Sequence, residues 1–251
     1  MAPPAEVGQT LVEASGVRKS YGKTAALRGV SFAVGAGEVF GLLGPNGAGK
    51  TTTLRILATL IRPDAGSAQI AGYEVAAAPL AVRAHLGIVN GGMGLYERLT
   101  GREILTFFAR FYGLEGDELA ERIAWVDETL GIGPALDRQV REMSSGMIQK
   151  VIVARAIIHK PPVLLLDEAT RGLDVFARRA LLDFVGDYRE QGKAVVYSTH
   201  VLPEAEEVCD RVGFLHEGRM LFIGTIDEAL ERYETDSLER AFIAAAEEVR
   251  A

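Results

Sequence analysis

A chain of 251 residues, 48% hydrophobic and 24% charged, has enough apolar material for one large α/β domain or a core with a subdomain, and is too apolar to be disordered. Its net charge of −7 argues against broad electrostatic capture of DNA or RNA, which needs a basic face, and leaves room only for local basic patches, so no nucleic-acid partner is expected. No stretch approaches the roughly 18 apolar residues of a membrane span, Met1–Thr10 lacks the charged start and apolar run of a signal segment, and the single cysteine, Cys209, suits a reducing compartment, so the chain is expected to be soluble and cytosolic by itself.

Leu11 to Phe40 alternates with period two, broken at Tyr21-Gly22-Lys23 and Gly35-Ala36-Gly37, which predicts antiparallel strands joined by turns. Val39–Leu43 is an apolar strand that runs into Gly44-Pro45-Asn46-Gly47-Ala48-Gly49-Lys50-Thr51-Thr52. Leu54, Ile56, Leu57, Leu60 and Ile61 follow at helical spacing, and Arg62-Pro63-Asp64-Ala65-Gly66 ends the helix. Ser67–Ile70 and Gly87–Val89 are short strand candidates. Thr100 with Glu103 forms a capping box, Ile104, Leu105, Phe107, Phe108 and Phe111 give the next helix an apolar face, and Leu119, Ile123, Val126 and Leu130 mark another. Residues from about 94 to 160 read as a helical insertion with Trp125 packed inside it. Val163–Leu166 and Ala194–Ser198 are uninterrupted apolar runs, as expected of parallel strands covered on both faces. The tail from 226 to 251 is rich in Glu and Ala and reads as a solvated closing helix.

The segment Gly44–Thr52 is a complete Gly-x-x-x-x-Gly-Lys-Thr phosphate loop between a strand and a helix. Glycines let backbone N–H groups wrap a polyphosphate at close range. Lys50 adds a point charge for the β/γ-phosphates, Thr51 a hydroxyl for Mg²⁺, and the helix start a positive dipole end. Downstream, Val163–Leu166 ends in Asp167-Glu168, which delivers two carboxylates to the carboxyl edge of the sheet, where open α/β folds bind ligands. There Asp167 can hold Mg²⁺ through its water shell, and Glu168 can polarise an attacking water. His200 follows the strand Ala194–Ser198 and is a γ-phosphate contact candidate, whereas His85, His159 and His216 read as structural or solvent-facing. Met143-Ser144-Ser145-Gly146-Met147-Ile148-Gln149-Lys150 opens a helix, and its two serines and glycine form a further anion site at that helix start.

The phosphate loop, the Ser144-Ser145-Gly146 helix start, Leu164-Leu165-Leu166-Asp167-Glu168, Gly172-Leu173-Asp174 and His200, in that order, resemble the ATP-binding cassette of ABC transporters from Tyr21 to about Thr225. The resemblance implies an α/β P-loop NTPase core with a mostly parallel sheet, an N-terminal antiparallel β subdomain and an inserted helical subdomain. It implies one cassette domain over 1–225 with a helical tail over 226–251, and ATP and Mg²⁺ as cofactors. Tyr21 would stack on adenine, and Gly44 to Thr52 would hold the triphosphate. Ser144, Ser145 and Gly146 would close on the nucleotide of a second cassette, Arg171–Asp174 would lie in the loop crossing the dimer, and His200 would be the switch histidine. One copy of each half-motif per chain fits a homodimer, and the absence of a spanning helix implies a separate integral membrane permease.

Three departures narrow the branch. Met143-Ser144-Ser145-Gly146-Met147 stands where Leu-Ser-Gly-Gly-Gln is typical, Ala169 where a proline usually follows the glutamate, and no glutamine lies near Gly91. Gly94–Thr100, Leu57–Leu60 and Gly146–Lys150 resemble exporter cassettes that serve separate membrane subunits, especially the Nat-type sodium-extrusion branch. Met93, Leu95 and Tyr96 are expected to dock a permease helix. The alternative is a soluble or regulatory cassette ATPase not coupled to transport.

Overall fold

A computed structural model describes residues 9–90 and 94–249. The N-terminal hairpin pairs β1 (Thr10–Tyr21) with β2 (Thr24–Gly35), and Val30, Phe32 and Val34 point inward with the period of two seen in the sequence. β3 (Val39–Leu43) leads through the phosphate loop into α1 (Lys50–Leu57). β4 (Ala65–Ile70), the short β5 (Tyr73–Glu74), α2 (Pro79–Ala84) and β6 (Leu86–Asn90) follow. The helical region comprises α3 (Gly101–Phe111), α4 (Gly116–Leu130), α5 (Gly133–Leu136) and α6 (Ser145–Ile157). The chain then returns through β7 (Val163–Asp167), α7 (Val175–Glu190), β8 (Ala194–Thr199) and α8 (Leu202–Val208). It closes with β9 (Arg211–His216), β10 (Arg219–Thr225), α9 (Ile226–Arg232) and α10 (Leu238–Glu248).

Two sheets result. One is antiparallel in the order β2-β1-β4-β5; the other runs β10-β9-β3-β8-β7-β6 and is parallel except at β10. Every residue of β3, β7 and β8 is buried, which explains their continuous apolar runs. The mixed α/β architecture with an antiparallel β layer and a mostly parallel sheet is the one expected from sequence.

Several local expectations need correction. The first helix stops at Leu57 rather than continuing through Leu60 and Ile61, because Thr59 takes a left-handed φ of +60°. The Leu60 amide then donates to Arg55 O and the Thr59 amide to Ile56 O, a Schellman closure that leaves Leu60 exposed. On α3 the Thr100–Glu103 capping box forms, but the apolar face divides: Ile104, Leu105 and Ala109 are buried, whereas Phe107 and Phe111 are exposed and meet edge to face. Trp125 is only half-buried, with the Lys160 Nζ 4.6 Å from its ring centre. The tail forms two helices, and Leu238, Ala241 and Ala245 of α10 are buried on a cluster containing Phe214, Phe222 and Phe242. Strands β5, β9 and β10 had not been anticipated. Cys209 is buried, and burial pushes its thiol pKa up.

His159 is structural, as expected: it stacks on Tyr112 with ring centres 3.7 Å apart. Burial pushes its pKa from 6.5 down to about 4. The unfolded chain therefore binds more protons between those values, and stability is lost as pH falls through this window. At pH 5 the cost is about 2 kcal/mol. Urea unfolding of wild type and His159→Phe at pH 7 and pH 5 should show a smaller acid loss in the variant; equal losses would refute it.

Candidate functional site

The phosphate loop owes its shape to contacts on both sides. Gly49 has φ +114°, and a Cβ there would meet Leu27 Cδ2 at 2.7 Å and Ala26 O at 2.8 Å, so the position admits only glycine. Gly47 takes φ +83°, a backbone conformation that residues with a side chain rarely adopt. Lys50, the first residue of α1, is buried and its Nζ donates to Gly44 O at 2.6 Å and Pro45 O at 3.1 Å. Burial lowers its pKa, while the charges of Glu168 and Asp167 oppose that shift. The ammonium is thereby held across the loop.

The carboxylates arrive on β7. Asp167 is in register with Asn90 on β6 and Ser198 on β8, and the Ser198 hydroxyl donates to Asp167 Oδ1 at 2.9 Å. Glu168 adopts φ +49°, rare for a residue with a side chain. Its amide donates to Ser198 O, its Oε1 lies 3.0 Å from His200 Nδ1, and its Oε2 is 3.7 Å from Arg171. Asn46, Thr51, Asn90, Asp167, Glu168 and Arg171 line one cleft of about 310 Å³.

Among the described residues, no group of three or more His, Cys, Asp or Glu is arranged to hold a metal alone. Magnesium needs less than that, since it keeps waters and shares substrate phosphate oxygens beside one or two protein ligands. The Thr51 hydroxyl and the Asp167 carboxylate on one cleft are that hard-oxygen donor set.

Other sequence-predicted residues lie elsewhere. Tyr21, at the end of β1, is 48% exposed and does not line the cleft. Ser144 caps α6 by accepting from the Met147 amide at 3.2 Å, and Ser145 and Gly146 open the helix; none of the three reaches the cleft of their own chain. Gly91 and Met93 fall outside the described residues. Ser198 and Asn90 were missed. Each is a polar residue at the carboxyl end of an apolar run, a signal visible in sequence, but only the pairing of β6 and β8 with β7 places them beside Asp167.

The ABC transporter family matches residues 27–171. The chain belongs to that family, as an ATP-binding domain. The ABC transporter ATP-binding protein NatA of Bacillus subtilis is 36% identical over 219 residues, which is 87% of this chain and 89% of that protein. The doxorubicin resistance ATP-binding protein DrrA of Mycobacterium tuberculosis is 41% identical over 223 residues, covering 88% of this chain and 67% of DrrA. A solved structure described as the ATP binding subunit of an ABC transporter superposes with a TM-score of 0.86 at 33% identity, covering 94% of this chain and all of that one. In this ABC ATP-binding domain the family match ends at Arg171, and His200, beyond it, is placed by its contact with Glu168.

Proposed function

We propose that this chain binds Mg-ATP in the cleft and hydrolyses it, in a pair of cassettes, to energise export through a separate membrane permease. One observation carries the reading: Thr51, Asp167 and Glu168 line a single cleft beside the loop spanned by Lys50, with His200 paired to Glu168. Lys50 would neutralise phosphate charge from a fixed position, and Glu168, oriented by His200, would polarise the attacking water. The Ser198 hydroxyl fixes the Asp167 carboxylate, which with Thr51 would hold Mg²⁺. When bound, that ion supplies charge neutralisation on the phosphate oxygens.

No helix among the described residues is long and apolar enough to cross a membrane. Membership of the ABC transporter family and the likeness to exporter ATP-binding proteins support a permease on another polypeptide and a peripheral place at the cytoplasmic face. The sodium cargo implied by the Nat-type resemblance is not singled out, because relatives of similar identity are named for doxorubicin resistance and Nod factor export. In this reading the permease selects the cargo. Of the expected docking residues, Leu95 is half-buried against the core, whereas Tyr96 is 66% exposed. Tyr96→Glu should leave the isolated chain's ATPase within about twofold and break co-purification with the membrane subunit. Intact co-purification would move the docking surface elsewhere, and absence of ATPase activity in the wild-type chain with its permease would defeat the hydrolytic reading.

A further inference from the structure

Behind the Glu168–His200 pair, the loops that carry these two residues are joined a second time. Glu204, in the first turn of α8, is only 3% exposed. Its Oε2 accepts from the Thr170 hydroxyl at 2.9 Å and from the Tyr197 hydroxyl at 2.7 Å, and its Oε1 stands 3.6 Å from the Arg178 guanidinium. These partners come from the loop after β7, from β8 and from α7. A helix start gains from an acidic residue in its first turn without burying it, so the helix alone does not call for this arrangement. Burying a carboxylate is costly unless its oxygens are satisfied, as they are here.

The spacing gives the arrangement its meaning. Thr170 lies two residues after Glu168, and Glu204 four residues after His200. The visible link, Glu168 to His200, has side chains 20% and 46% exposed, and solvent weakens such a pair as a constraint. The inner link is buried at Thr170, Tyr197 and Glu204 alike. It also anchors the stretch just beyond Glu168, whose left-handed backbone must be held by its surroundings.

We propose that Glu204 is a positioning residue for hydrolysis: through Thr170 and Tyr197 it sets the spacing of the Glu168 and His200 loops without touching nucleotide. The inference rests on the assignment of Glu168 and His200 to the hydrolytic site. Glu204→Ala should lower kcat about tenfold while leaving the Kd for ATP within about twofold. Glu204→Gln, whose amide oxygen can still accept from both hydroxyls, should recover most of that loss. Thr170→Val, nearly isosteric, should lower kcat in the same direction and serves if Glu204→Ala does not fold.

The deciding measurement is a cycle with His200→Ala in the full chain, with melting temperatures recorded for every variant. If Glu204 acts through the Glu168–His200 geometry, Glu204→Ala or Thr170→Val should cost less than about twofold more once His200 is gone. An equal fold-loss in both backgrounds would show a merely structural role and overturn the proposal, as would wild-type kcat in both Glu204→Ala and Thr170→Val. Glu168→Gln separates the two levels: if it hydrolyses ATP normally, the site assignment fails. If it is inactive and the Glu204 and Thr170 variants keep full kcat, only this inference fails.

Discussion

Glu168→Gln should retain ATP binding and lose turnover by on the order of a hundredfold or more. The substitution keeps the shape of a side chain that lies 3.0 Å from His200 and at the cleft wall, and removes only its charge and basicity. Because the Glu168 charge acts on Lys50, its removal takes one negative charge from the neighbourhood of the incoming phosphates, so affinity should hold or rise. Lys50→Ala should behave differently, weakening binding and turnover together, since that charge meets phosphate in both ground and transition states. Steady-state ATPase assays beside nucleotide titrations distinguish the two. Equal loss of binding in both variants would defeat the assignment of roles.

In the Glu168→Gln background ATP should bring two chains together, and Ser144→Glu should abolish that dimer, raising its dissociation constant by roughly a hundredfold or more. The argument starts from placement. Ser144, Ser145 and Gly146 open a 13-residue helix whose N-terminus suits an anion, yet they do not line the cleft of their own chain. A phosphate held by another chain is the occupant that would use them, and a carboxylate at Ser144 would face it with like charge. Light scattering after size exclusion, with and without ATP, reads the outcome. An ATP-bound Glu168→Gln chain that stays monomeric at high concentration would count against a homodimer.

The parts of this fold legible in sequence were those set by local chemistry. The phosphate loop, the Thr100 capping box and the runs at β7 and β8 announce themselves because glycine, cap and apolar-strand requirements act within a few residues. The misses share a different cause. Whether Phe111 is inside depends on what packs against α3, and the left-handed turn at Thr59 that leaves Leu60 exposed carries no glycine to mark it. At the site, Lys50, Asp167, Glu168 and His200 could be read because each sits in or next to a recognisable motif. Ser198 and Glu204 gain their meaning from partners 31 and 34 positions away, which only the pairing of β7 with β8 and the packing of α8 bring close.

That pairing also acts as a ruler. Neighbouring strands stand about 4.8 Å apart, and β3, β8 and β7 lie side by side. The phosphate loop, His200 and the Asp167-Glu168 pair are therefore marks on a scale about 10 Å wide, graduated by backbone hydrogen bonds. Backbone pairing fixes the coarse distance between marks, and side-chain links such as the one through Glu204 adjust it within the loops that follow the strands. Ala169, just past the Asp167-Glu168 mark, can therefore alter how that mark works while leaving the scale itself unmoved.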